Sequence, residues 1–178
     1  MMAIQIGAKP DSGFDDPIGM LTDCHRRIEH FLQILCLVAE RALSRAMSDE
    51  ETAAVQAALQ YFRVGGQRHN ADEEQSLFPR LRAACGDEDS DQIAGLESDH
   101  QDASALHAGV EELYTVWIKS GRLSESDQER LSSITKKLRE LYQQHIQLEE
   151  RVIFPRAARA LDAETLAAIG REFRARRE

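Results

Sequence analysis

Proline is scarce in this chain, with four in 178 residues. A proline inside a helix removes a hydrogen bond and costs about 3 kcal/mol, so most of the chain is free to form long helices. Aromatics number only ten (Trp 1, Tyr 3, Phe 6), and the natural reading is long amphipathic helices. The three cysteines, Cys24, Cys36 and Cys85, form no CxxC pair and leave an odd count, which fits reduced thiols in a cytosolic protein. Basic residues are in deficit, 22 against 31 acidic, for a net charge of -9. A duplex nucleic-acid partner needs a basic face to replace released counterions, so none is expected. The longest nearly apolar run, Phe31 to Ala39, is far short of the ~20 residues that span a bilayer. Met1 to Asp16 carries one Lys and no apolar core of a signal peptide. The expected location is cytoplasmic, away from membranes.

What is present is a soluble globular composition, 42% hydrophobic and 30% charged, long enough for one domain with a sizeable core. Within it lie two near copies of one motif. His69-Asn70-Ala71-Asp72-Glu73-Glu74-Gln75-Ser76-Leu77-Phe78-Pro79 and His145-Ile146-Gln147-Leu148-Glu149-Glu150-Arg151-Val152-Ile153-Phe154-Pro155 both read His-x-x-x-Glu-Glu-x-x-(Leu/Ile)-Phe-Pro. On a helix, positions i and i+4 share a face, so each copy aims an imidazole and a carboxylate at one spot. That is a metal-ligand spacing. His145, Glu149 and Pro155 follow His69, Glu73 and Pro79 by 76 residues, and His100 follows His25 by 75. The chain is thus a weak repeat of two helical hairpins, each with a lone His followed by a His-x-x-x-Glu pair.

Hydrophobic periodicity places these residues on inward stripes. Asp16-Pro17 reads as a cap and first helical position, and Ile18, Leu21, His25, Ile28, Leu32 and Leu35 follow at helical spacing. Ser48 with Glu51 forms a capping box for a second stripe, Val55, Leu59, Phe62, Gly66, His69, Glu73 and Leu77. Gly65-Gly66 inside that helix costs about 1 kcal/mol per Gly, which implies close backbone approach or a local bend. Pro79 marks a kink or break. Gly86 to Ser90 forms the turn between the halves. The third stripe runs Ile93, Leu96, His100, Ala103, His107, Val110, Tyr114 and Trp117, ending near Gly121. The fourth, capped by Ser124, runs Leu131, Ile134, Leu138, Leu141, His145, Leu148 and Val152.

The prediction is therefore all-α, an up-down-up-down four-helix bundle with a short C-terminal helix. Residues 1–15 form a flexible arm, 16–160 the bundle and 161–178 a C-terminal helical segment capped by Asp162. Counted from the shared end of such a bundle, His25, His69, His100 and His145 all lie roughly 12–15 Å in, in one layer. Four buried imidazoles and two carboxylates without a cation would be a costly core. Zinc in a structural site closes with four ligands, favouring Cys or His, whereas this donor set suits a pair of iron or manganese ions.

The sequence resembles the hemerythrin family of HHE cation-binding domains. The resemblance rests on His25, His69, Glu73, His100, His145, Glu149 and both Phe-Pro endings, and covers most of the chain from Asp16. It implies a non-haem di-iron centre, oxo- or hydroxo-bridged, with Glu73 and Glu149 bridging the ions. Zinc, manganese or a single ion compete with that reading. The oxygen-carrying members supply two histidines one turn apart on the third helix. Here the second position is Ser104, while His107 lies too far along the axis to replace it, so an additional coordination position stays open. Glu29 and His30 are read as lying outside the site, Glu74 and Glu150 as turned outward. The function implied is sensing, binding or scavenging of dioxygen, nitric oxide or iron. A di-iron oxidase or peroxidase is the alternative, or a helical domain with a structural metal. A protein partner or homo-oligomer is left open.

Overall fold

The computed structural model describes residues 11–42, 45–86 and 90–178. Five helical elements make up the described chain. They are α1 (Pro17–Ala42), α2 (residues 49–85), α3 (Ser90–Ser120), α4 (residues 125–160) and α5 (Ala163–Ala175). Their starts follow the sequence signals. Asp16 Oδ1 accepts from the Gly19 N–H, Ser48 and Glu51 form a reciprocal capping box, Ser124 accepts from the Asp127 N–H and Asp162 from the Thr165 N–H. Each satisfies a backbone donor that the first turn leaves without an intrahelical partner. Gly121, at φ 75°, lies just past the end of α3. Of the expected turn between the halves, residues 87–89 lie outside the described residues.

Neither Phe-Pro stops its helix. The α2 run is α-helical over Asp49–Tyr61, Gln67–Asp72 and Phe78–Cys85, with π-helical turns at Phe62–Gly66 and Glu73–Leu77 between them. In α4, a π-turn at Glu149–Ile153 joins Glu125–Leu148 to Phe154–Ala160. The Phe78 N–H donates to Glu73 O and the Phe154 N–H to Glu149 O, five residues back. Pro79 and Pro155 lack an N–H, and in an α-helix each ring would press on the carbonyl four residues before it. The wider π-turn absorbs both problems and lets the helix continue. The Gly65-Gly66 pair sits in the other π-turn, where a Cβ on Gly65 would lie 2.6 Å from the Tyr61 ring. Of the two expectations the structure shows local widening, with the Tyr61 side chain rather than another backbone beside Gly65.

Helix α1 packs on α2 and α4, and α3 packs on α4 and α2. Two apolar clusters form between them. One gathers Ile28, Leu35, Leu59, Phe62, Val110, Tyr114, Trp117 and Leu138. The other gathers Leu21, Leu77, Phe78, Leu96, Ile153, Phe154, Ile169 and Phe173. Along α1 and α3 the chain runs from the second cluster to the first, and along α2 and α4 it runs the other way. Each of α1 to α4 passes between the clusters at a polar position, His25, His69 with Glu73, His100, or His145 with Glu149.

Helix α5 covers the second cluster with Ile169 and Phe173, both fully buried. Of the arm expected over residues 1–15, residues 1–10 lie outside the described residues. Residues 11–15 lie against α1 and α5: the Ser12 N–H donates to Asp23, and the Phe14 ring carries Arg174 on its face. A Cβ on Gly170 would sit 1.8 Å from the Phe14 carbonyl oxygen, so only glycine admits that crossing. Among the described residues, no helix is long and apolar enough to cross a membrane.

Candidate metal centre

His25, His69, Glu73, His100, His145 and Glu149 meet in the layer between the two apolar clusters. The histidines are at most 5% exposed and both glutamates are fully buried. They fall into two groups, His25, His69, Glu73 and Glu149, and Glu73, His100, His145 and Glu149. Within each, the potential ligand atoms lie within 4.8 Å of one another. Both carboxylates belong to both groups. Glu149 Oε2 is 3.0 Å from His25 Nε2 and 3.3 Å from His145 Nε2. Glu73 places Oε1 3.5 Å from His69 Nε2 and Oε2 3.3 Å from His100 Nε2.

The inward atoms are short of partners. All four carboxylate oxygens, with His25 Nε2 and His100 Nε2, are buried without a hydrogen bond among the described residues. Each unsatisfied buried polar atom costs about 1–3 kcal/mol, a cost that a bound cation would offset for all of them at once. The charge balance points the same way. Burial raises the Glu73 carboxyl well above the usual carboxylate range, and Glu149 beside it adds to the rise. Burial pushes Glu149 up as well, but the close His145 and His25 imidazoles outweigh it and hold that carboxyl low. Burial disfavours charge on His25 and His145, yet contact with Glu149 raises both above the ordinary imidazole value. Burial, followed by His25, holds His69 far below it. The metal-free cluster thus keeps protons in the place a cation would take. Donor types, burial and orphaned atoms fit a cation.

The motif has a fuller role than its spacing suggests. Glu74 and Glu150, expected to turn outward, reach across to the facing helices. Glu74 Oε1 lies 2.7 Å from His100 Nδ1, and Glu150 Oε1 lies 2.9 Å from His25 Nδ1. Both members of each Glu-Glu pair thus engage the layer, at the start of a π-turn. The phenylalanines act on the same rings: Phe154 stacks on His25 at 5.3 Å and Phe78 on His100 at 6.3 Å between centroids. Asp99 Oδ2 is 3.2 Å from His145 Nδ1. A carboxylate on Nδ1 fixes the tautomer and turns Nε2 inward. The doubled glutamate, repeated at one offset, was the available signal for Glu74 and Glu150. Asp99 carried none, because the matching residue before His25 is Cys24.

The residues set aside in the sequence reading lie off the cluster. Glu29 and His30 are exposed on α1. His107 Nε2 is 3.0 Å from the Tyr142 hydroxyl, deeper in the first apolar cluster. Ser104 is exposed and lines a groove of about 840 Å³ between α2 and α3, together with Gly66, Glu74, His100, His107 and Tyr142. Cys24 is buried, its sulfur 3.3 Å from Arg27 Nη2.

An all-helical chain with a buried layer of four histidines and two shared carboxylates defines a helical cation-binding protein. The family model of the hemerythrin HHE cation-binding domain matches residues 16–167, and the chain belongs to that family. No curated protein sequence matches it.

Proposed function

We propose that the layer holds two non-haem iron ions and that the protein binds, senses or scavenges dioxygen, nitric oxide or iron itself. The observation that carries this reading is the membership of Glu73 and Glu149 in both four-residue groups. A single closed site would leave two histidines without a role. In this reading His25 and His69 would hold one ion and His100 and His145 the other, with Glu73 and Glu149 available to both. Once bound, a reduced pair of irons supplies electrons to a small oxidant such as dioxygen or nitric oxide. The chain's own residues set the conditions for that chemistry. Glu74, Glu150 and Asp99 hold three imidazole rings in place, the flanking apolar clusters keep bulk water out, and the groove at Ser104 leaves a path along His100.

Metal analysis of protein purified from iron-supplied cells tests the assignment. Two irons per chain are expected, with an optical spectrum that changes on adding azide or nitric oxide to the appropriate oxidation state. One tightly held zinc, inert to these ligands, would replace this reading with a structural metal. An oxidase or peroxidase reading draws on the same groove, which is much larger than a diatomic molecule. Catalytic turnover of peroxide or an organic reductant by the iron-loaded protein would favour it.

A further inference from the structure

The repeat allows the two ion positions to be compared histidine by histidine. His25 and His100 stand at equivalent places, and each Nδ1 meets the second glutamate of the opposite motif, Glu150 and Glu74. His69 and His145 are also equivalent, but their surroundings differ. His145 Nδ1 has Asp99 at 3.2 Å, whereas His69 Nδ1 is buried with no partner among the described residues. The offset that carries His100 onto His25 carries Asp99 onto Cys24. A thiol is a weak acceptor, and this sulfur already faces the Arg27 guanidinium at 3.3 Å. One half of the layer therefore has carboxylates behind both imidazoles, and the other half has a carboxylate behind only one.

We propose that the two ion positions are unequal: the His100–His145 position fills first and holds its ion more tightly, and the His25–His69 position is the exchangeable one. The inference rests on the two-ion reading above. Its physical basis is that a carboxylate behind a ligating histidine increases the basicity of the inward nitrogen and removes rotational freedom from the ring. Loss of such a partner weakens metal binding by about 10–100-fold. The bridging carboxylates serve both positions and do not create the difference. Asp99 and Cys24 do.

The test is anaerobic titration of the metal-free protein with ferrous ion, followed by calorimetry, with metal analysis giving the stoichiometry. Two neighbouring cations repel each other, so two binding steps arise even from identical positions. The diagnostic is which residues govern which step. His145→Ala should weaken the first step, while His69→Ala should leave it unchanged and remove the second. Asp99→Asn keeps the side-chain shape and should weaken the first step by about 10–100-fold. It carries the test alone if a histidine variant fails to fold by circular dichroism. Cys24→Asp should tighten the second step. Two ions per chain with a first step equally sensitive to His69→Ala and His145→Ala, or indifferent to Asp99→Asn, would overturn the inference and leave the two-ion reading standing. One ion at saturation would overturn both.

Discussion

The two halves of the repeat match at the six inward donors and part company behind them. Each supplies a π-turn that opens at a buried glutamate, a second glutamate reaching the opposite half, and a phenylalanine stacked on a histidine. Outside those residues the halves are supported differently. Behind the π-turn of α2, Asp72 is fully buried and paired with Arg176 at 2.8 Å and Arg177 at 2.6 Å from the end of α5. Ser76 and Arg80 meet Glu172 of the same helix. On the other side of the layer, α3 and α4 supply the His107–Tyr142 hydrogen bond, and the corresponding positions in the first half are Leu32 and Gly66. What the two halves share supplies the inward donors, and what differs, Asp99 against Cys24 included, decides how firmly each side is held.

The largest expected effect separates the shared positions from one another. Glu73→Ala and Glu149→Ala should each abolish binding of a pair of ions, because each removes a donor from both groups. Glu74→Ala and Glu150→Ala should keep the metals but weaken them by about 10–100-fold, since they release only the outer nitrogen of one histidine. Metal content after dialysis against a graded chelator distinguishes these. Equal loss in all four variants would mean that the outer glutamates are ligands themselves.

Next in size is the clamp on α2. Removing both arginines, as Arg176→Ala with Arg177→Ala, leaves Asp72 fully buried without its counter-charges. Uncompensated burial of that kind costs about 3–5 kcal/mol. Thermal melting should show this clearly, and the loss should be far smaller for Arg130→Ala, whose surface pairing with Glu112 is exposed on both sides. A double variant no less stable than Arg130→Ala would show that α5 does not hold the π-turn. A smaller loss is expected from Gly170→Ala. The added methyl overlaps the Phe14 carbonyl, and an overpacked contact costs about 1–3 kcal/mol, partly offset by the better helix propensity of Ala, about 1 kcal/mol. Faster amide exchange at Ser12, whose N–H is held by Asp23, is the local readout.

The helices, their caps and the six inward residues were legible because each depends on local spacing. A carboxylate four residues after a histidine shares its face whatever surrounds the helix, and Ser48, Ser124 and Asp162 need only the next three residues to cap. The π-turns were not legible, because Pro79 reads as a kink or break until the wider turn before it is seen to relieve the ring. Glu74 and Glu150 also reach rings on other helices, contacts that spacing along a single helix does not show. The clamp was hidden for a different reason. Arg176 and Arg177 suit the negative end of a helix dipole, and nothing local links them to Asp72, more than a hundred residues earlier.

The smallest expected effect sharpens the contrast between His107 and Leu32. Burial pushes the His107 imidazole down to about 4, with Glu111 only partly opposing it, so the ring is neutral in the folded protein across the physiological range. Its Nε2 can then accept the Tyr142 hydroxyl proton. In the unfolded chain the same ring takes up a proton near pH 6.5. A histidine whose folded value is depressed contributes its full stability above the unfolded value and loses it as the pH falls towards the folded one. The window is therefore from pH 6.5 down to about 4. His107→Gln keeps a side-chain acceptor for Tyr142 and removes the titration. Between pH 7 and 5, the metal-free native protein should lose about 1–2 kcal/mol more stability than the variant. Urea unfolding of both proteins at the two pH values measures the difference, and the contributions of His25, His69 and His145 cancel because both chains carry them. Equal losses would mean that His107 takes up a proton in the fold as readily as in the unfolded chain. The Tyr142 contact would then run the other way, with imidazolium as donor and phenol as acceptor.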